Sequence, residues 1–152
     1  MQILVRVVSP PAVAEFVPGQ PGPGHRFVFS ENIELVRYDG VAQNNQLAGS
    51  YSGLMTILRI AEAGDIYPQG SYLFQYEGIY RFNTVPNTPL MRGQVTARGM
   101  LHGNLDNQGN FTPLDGPMKV AITGGTEAYA TARGEITERD PAFENKRLDI
   151  QV

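Results

Sequence analysis

The sequence predicts an all-β fold, an eight-stranded antiparallel up-and-down barrel with an internal cavity. Three observations predict it. Apolar residues recur at every second position in eight segments, and helical periodicity is almost absent. Gly, Pro, Asn and Asp punctuate those segments, so the connections are turns and loops. The segments at the two ends, ILVRVV and RLDIQV, alternate alike, and pairing them would close the sheet and leave no long edge. A sandwich is the competing arrangement of the same strands.

The first strand is read over residues 2–8. Residues 9–24, SPPAVAEFVPGQPGPG, hold five prolines, which remove backbone donors and forbid regular pairing. This loop, carrying Phe16 and Val17, is expected to cover one barrel mouth as a lid, because long structureless loops in compact domains often do. The second strand covers residues 26–36, and RYDGVAQNNQ is read as a turn region. The third covers 47–61, the fourth 71–82 and the fifth 93–102. NLDNQGNFTPLDG is a loop, and the sixth strand covers 118–122. Residues 123–127 are read as a tight corner, 128–138 as the seventh strand and 147–152 as the last. The whole chain, 1–152, is read as one domain, a length suited to a single core.

Side-chain alternation assigns the inner face. In SYLFQYEGIYRF, one face carries Tyr72, Phe74, Tyr76, Gly78, Tyr80 and Phe82, and the other carries Gln75, Glu77 and Arg81. Burying an apolar ring stabilises by roughly 1.5–3 kcal/mol, whereas burying an unpaired charge is costly, so the aromatic face points inward. The same test sends Phe27 and Phe29 inward on the second strand. It sends Tyr51, Gly53, Met55 and Ile57 inward on the third, and Val95, Ala97, Gly99 and Leu101 on the fifth. On the seventh strand, Ala128, Ala130, Ala132 and Gly134 share one face, with Tyr129 and Arg133 on the other. If that small-residue face points inward, it leaves room opposite the aromatics. The room holds either a ligand or only the neighbouring rings, since alternating small and large residues also fill a barrel.

Several of these motifs resemble the allene oxide cyclase and dirigent group of β-barrels. Gly124-Gly125-Thr126, Tyr129 and Ala132-Arg133-Gly134 are similar to that group's C-terminal signature. HRFVFSENIEL, LAGSYSGLMTIL and YRF followed by GQVTARG match its earlier strands in order, so the resemblance spans about residues 25–137. The early acidic, asparagine-rich strand of plant allene oxide cyclases is replaced here by ILVRVVSPP. In character the chain looks closest to the bacterial spirotetronate-type polyketide cyclases. The resemblance implies a cofactor-independent cyclase or isomerase that folds a flexible polyketide- or fatty-acid-like substrate inside the barrel and promotes ring closure, [4+2] among the possibilities. The alternative it implies is a non-catalytic, dirigent-like carrier of a hydrophobic molecule. It also implies a homodimer or homotrimer, for which the half-apolar outer faces with Leu54, Leu58, Leu73 and Ile79 are candidates.

The residues themselves suggest how such a site would work. Tyr76, Tyr80 and Tyr51 are the candidate catalytic groups, since a phenol in an apolar cavity can donate to a carbonyl or enolate and steady developing negative charge. The candidate substrate-binding residues are Phe27, Phe29, Glu31, Met55, Ile57, Tyr72, Phe74, Phe82, Val95, Leu101, Ala130 and Ala132. Glu31, in phase with Phe27 and Phe29, would place an acid near a barrel mouth, where it either transfers protons or is solvated at the rim.

Other classes are excluded or disfavoured. The net charge of −3, with only two lysines and no basic run, gives no nucleic-acid footprint. The absence of cysteine removes disulfides, thiolate metal sites and thiol nucleophiles. No metal or other cofactor is expected: His25 and His102 lie far apart in sequence and read as solvated strand ends. GSYSG has Tyr51, not serine, at its centre, so it is no nucleophile elbow. No run approaches the roughly 20 apolar residues of a membrane span, and no secretion signal is evident, so a cytoplasmic location is expected.

Overall fold

The computed structural model describes residues 1–8, 22–106, 111–138 and 145–151. The expected lid, residues 9–24, falls almost wholly outside them. Among the described residues nine antiparallel strands form one sheet: β1 (Gln2–Val7), β2 (Arg26–Tyr38), β3 (Val41–Ile60), β4 (Tyr72–Phe82), β5 (Gly93–Leu105), β6 (Phe111–Pro113), β7 (Lys119–Glu127), β8 (Arg133–Glu138) and β9 (Asn145–Gln151). Eight of them close into an up-and-down barrel, because β4 pairs with β5 at one side and β1 with β9 at the other. The terminal strands therefore do seal the sheet, with Ile3 opposite Leu148 and Val5 opposite Lys146. β6 is a short appendage on the end of β5. Among the described residues no helix is long and apolar enough to cross a membrane.

The predicted boundaries need three corrections. RYDGVAQNNQ is not a wide turn: β2 runs to Tyr38 and β3 starts at Val41, with only Asp39 and Gly40 between them. Both have positive φ, 45° and 81°, the conformation of a two-residue hairpin turn for which Asp-Gly is well suited. β6 was not foreseen. The third correction concerns the predicted corner at 123–127 and strand at 128–138. Residues 123–127 continue β7, and the chain turns at 128–131. The turn is tied by Tyr129 N–H to Thr126 C=O (3.0 Å) and Ala132 N–H to Tyr129 C=O (2.9 Å), and starts from Glu127 at φ 54°.

That last change dissolves the small-residue face. Ala130 is exposed on the turn, while Ala132 is buried. Tyr129, expected outside, is fully buried, donates to Met91 C=O (3.1 Å) and packs on Phe82 with ring centroids 5.5 Å apart. Gly125 is needed for close approach rather than for a corner: a Cβ there would meet Tyr129 Cβ at 2.9 Å.

Inward alternation holds elsewhere. Phe74, Tyr76, Tyr80, Phe82, Phe27, Ile57 and Val95 belong to one buried core, with Met55, Leu101 and Tyr51. The end of the barrel at which β2 finishes is sealed by Tyr129, Val85 and Leu90. At the opposite end, where β1 finishes, Val7, Phe29, Glu31 and Tyr72 are half-buried and Phe111 is partly buried, around Phe27, Ile57 and Phe74, which are fully covered.

Candidate functional site

The interior changes character along the barrel axis, and the polar groups gather in its middle and towards the half-buried end. Tyr51 is the cross-strand partner of both Glu31 on β2 and Tyr80 on β4. Its ring stacks on that of Tyr80, with centroids 4.7 Å apart. Tyr76 donates its hydroxyl to Tyr51 Oη at 2.8 Å and lies 3.5 Å from Tyr80 Oη. The three predicted tyrosines are thus brought together, but their hydroxyls partner one another.

Two glycines make this arrangement possible. Gly53 and Gly78 face each other across β3 and β4. A Cβ on Gly53 would stand 2.6 Å from Tyr51 Oη, and one on Gly78 would stand 2.8 Å from Tyr76 Cζ. Each tyrosine lies back along its own strand over the glycine two residues on. The bare backbone that makes space in this barrel is therefore at Gly53 and Gly78, not along the Ala128–Gly134 stretch.

Burial, then the neighbouring phenol, pushes the Tyr51 hydroxyl well above its ordinary value; burial likewise dominates for Tyr76 and Tyr80. All three stay neutral donors over the ordinary pH range.

Beside the phenols sits a pair that the sequence reading missed. Lys146 on β9 and Glu138 on β8 are opposite each other and form an ion pair inside the barrel, with side chains 4 % and 3 % exposed. Lys146 Nζ also lies 4.4 Å from the centre of the Tyr51 ring, a cation–π contact. Both residues were legible in phase. Glu138 lies two residues beyond Ile136, and Lys146 lies two before Leu148, all on inward positions. Glu31 completes the group as a half-buried carboxyl. Burial raises its pKa most, Lys146 opposes the rise, and Glu138 adds to it.

The remaining predicted contacts divide by position. Phe74 touches Phe27 (6.1 Å, edge-on), Tyr72 (6.0 Å, stacked) and Phe111 (5.2 Å, edge-on), forming the aromatic wall of the half-buried end. Phe29, Met55, Ile57 and Leu101 lie on inward positions of the same half. Phe82, Val95 and Ala132 belong to the sealed half, away from Glu31, and Ala130 lies outside the barrel.

A second cluster lies on the outer surface. His102, expected to be solvated, is 8 % exposed, with Nε2 2.8 Å from Ser71 Oγ and Nδ1 3.1 Å from Asp115 Oδ2. Ser, His and Asp in that order resemble a hydrolytic triad, but the proton arrangement argues otherwise. Ser71 Oγ donates to Pro68 C=O at 2.6 Å, so its hydrogen is not offered to His102, and Ser71 is 1 % exposed. A nucleophile needs a base for its proton and access to substrate. Tyr67, whose ring is 4.4 Å from that of His102, covers the cluster, which fastens the segment between β3 and β4 to the barrel wall. Leu73, the cross-strand partner of His102, is 3 % exposed and so is no part of an open outer face. Arg98, on the outside, pairs with Glu77 (Nε to Oε1, 2.9 Å). Among the described residues no group of three or more His, Asp or Glu is placed to hold a metal ion.

Solved structures share this architecture. A pyocyanin demethylase aligns over 99 % of this chain and 98 % of its own, with a TM-score of 0.60 and 20 % identity. A pterocarpan synthase dirigent protein aligns over 97 % and 82 %, with a TM-score of 0.52 and 14 % identity. The fold is a dirigent-like barrel. At these identities the likeness is one of fold alone. No protein-family model and no curated protein sequence matches the chain.

Proposed function

We propose that the chain takes an apolar small molecule into the barrel end bounded by Phe29, Glu31 and Tyr72, and promotes its intramolecular ring closure without a cofactor. The observation that carries this reading is the placement of three neutral phenols and a half-buried acid next to an aromatic wall. Ring closure of a flexible chain has a large entropic barrier, and holding its ends together can recover about 7–11 kcal/mol in the best cases. Rigid aromatic walls serve that purpose, while a phenol or carboxylic acid can donate to an oxygen that gains charge. Polyketide-like polyenones of the kind closed by spirotetronate-type cyclases would suit such a barrel. Two proteins of the same fold, described as a demethylase and as a pterocarpan synthase dirigent protein, accord with chemistry inside a barrel of this shape.

The mutual pairing of the hydroxyls favours a second reading, a dirigent-like carrier that orients its ligand without donating to it. Native mass spectrometry of the purified protein should reveal a co-purified apolar molecule under either reading. Turnover of acyclic polyenones by wild type and Tyr51→Phe then separates them. A fall in kcat of about tenfold or more at unchanged affinity supports the cyclase. Binding without turnover supports the carrier, and absence of both binding and turnover overturns the two together. Self-association through the outer face of β3 and β4, where Leu58 and Ile79 are 42 % and 47 % exposed, is proposed as well and is tested by light scattering.

A further inference from the structure

His102 holds an outward position on β5, since its neighbour Leu101 faces the core, yet it is covered from two sides. The connection 61–71 between β3 and β4 brings Ser71 Oγ to Nε2, at 2.8 Å, and lays the Tyr67 ring beside the imidazole. The bend 114–117 between β6 and β7 brings Asp115 to Nδ1, at 3.1 Å. Leu114 N–H also donates to His102 C=O (3.1 Å). Both connections lie where β3 and β5 finish and β4 begins, the barrel end that holds Tyr72 and Phe111.

Counting hydrogens fixes the charge of this cluster. It has three polar contacts in a row: Asp115 to Nδ1, Nε2 to Ser71 Oγ, and Ser71 Oγ to Pro68 C=O (2.6 Å). A carboxylate and a carbonyl only accept. Ser71 has one hydrogen and gives it to Pro68, so Nε2 donates to Ser71 and Nδ1 donates to Asp115. A neutral imidazole carries one ring hydrogen and leaves one contact as two lone pairs face to face. An imidazolium carries two and satisfies all three. The Tyr67 ring, 4.4 Å from that of His102, favours the same charge.

We infer that His102 is an imidazolium here and that its charge is a pH-operated fastening of the barrel rim. The connection 61–71 and the bend 114–117 are held while His102 is charged, and they loosen when it gives up a proton. The fastened form binds one proton more than the loosened form, so it is favoured at low pH and lost as pH rises. Histidine is the side chain whose charge changes near neutrality, which suits it to such a device. Among the described residues, Asp115 and Tyr67 are the titratable groups facing His102 from the two connections. Beyond them, Arg59 lies 5.8 Å from the centre of the Tyr67 ring and is paired with Asp65. Ser71 and Leu73, which meet His102 from the β4 side, are uncharged.

The test uses the full chain and no ligand, so its outcome is independent of what the barrel binds. Long-range proton–nitrogen correlation NMR reads the protonation of both His102 ring nitrogens from about pH 5.5 to about pH 8.5, a window in which histidine titrates and ordinary carboxylates stay ionised. Amide exchange, corrected for its intrinsic pH dependence, is followed over 62–70 and 114–117 in parallel. The expected result is two protonated nitrogens at the acid end, and corrected exchange that quickens by about tenfold as His102 loses its charge, the weight of one charge-assisted hydrogen bond. Asp115→Asn supplies the third hydrogen from its amide N–H, so a neutral His102 then satisfies every contact and exchange should stay slow across the range. A neutral His102 at the acid end, a His102 that stays charged throughout, exchange that ignores its titration, or a pH dependence that survives Asp115→Asn overturns the switch.

Discussion

Lys146 and Glu138 face each other across β9 and β8 and form an ion pair almost entirely withdrawn from solvent. Desolvating two charges offsets much of their attraction, so the pair adds little net stability over a packed apolar pair, yet breaking it is expensive. Lys146→Met, which leaves a buried carboxylate behind, should destabilise the protein by about 3–5 kcal/mol. Lys146→Met combined with Glu138→Leu should recover most of that loss. Urea melts of wild type, single and double variants decide; a double variant as unstable as the single would show that the pair is needed for more than charge compensation.

Gly53 makes room for the Tyr51 hydroxyl. Gly53→Ala should cost about 1–3 kcal/mol through overpacking, because the barrel wall offers the ring no other place. In a Tyr51→Phe background, where the nearest atom is gone and the next, Cζ, stands 3.1 Å away, the cost should be smaller. A double-mutant cycle from thermal melts measures the coupling, and additivity of the two changes would contradict the contact.

The phenols of Tyr51, Tyr76 and Tyr80 have folded-state pKa values well above the ordinary 10.0, burial being the largest cause, and Tyr129 is pushed up to about 12. The unfolded chain ionises near the ordinary value and so binds fewer protons than the folded chain above it. Stability contributed by these groups is therefore present below about pH 10 and is lost as pH rises beyond it. In a near-ultraviolet titration, the phenolate signal of these four residues should appear only together with alkaline unfolding. Their ionisation in protein that keeps its far-ultraviolet spectrum would refute the buried network.

His102 and Ser71 act as a fastening on the outer wall. Ser71→Ala removes the partner of His102 Nε2 and the donor to Pro68 C=O, and should cost about 1–3 kcal/mol. Amide exchange followed by mass spectrometry should quicken between residues 61 and 71 while the strands remain protected. Unchanged exchange there would mean that backbone bonds such as Ala61 N–H to Ser71 C=O (2.8 Å) hold the segment alone.

The sequence by itself favoured the barrel over a sandwich and set the inner face of β2 to β5, because side-chain direction in a strand has a strict period of two, and one misplaced strand would bury Glu77 or Arg81 in place of Tyr76 and Tyr80. It also placed Tyr51, Tyr76, Tyr80 and Glu31 on that face. Tertiary structure alone decided where the space lies and what the phenols meet. Local pattern could not tell whether the glycines near residue 124 turn the chain or continue it; pairing with β5 up to Glu127 made them strand. It moved the turn onto Ala128 and Ala130 and drew Tyr129 inside. Likewise alternation puts Glu138 in phase with Ile136 and Lys146 in phase with Leu148, but only the β8–β9 register brings these two residues, eight apart, into one buried pair. Alternation is a local property of the chain, whereas register and closure are properties of strands that meet across it.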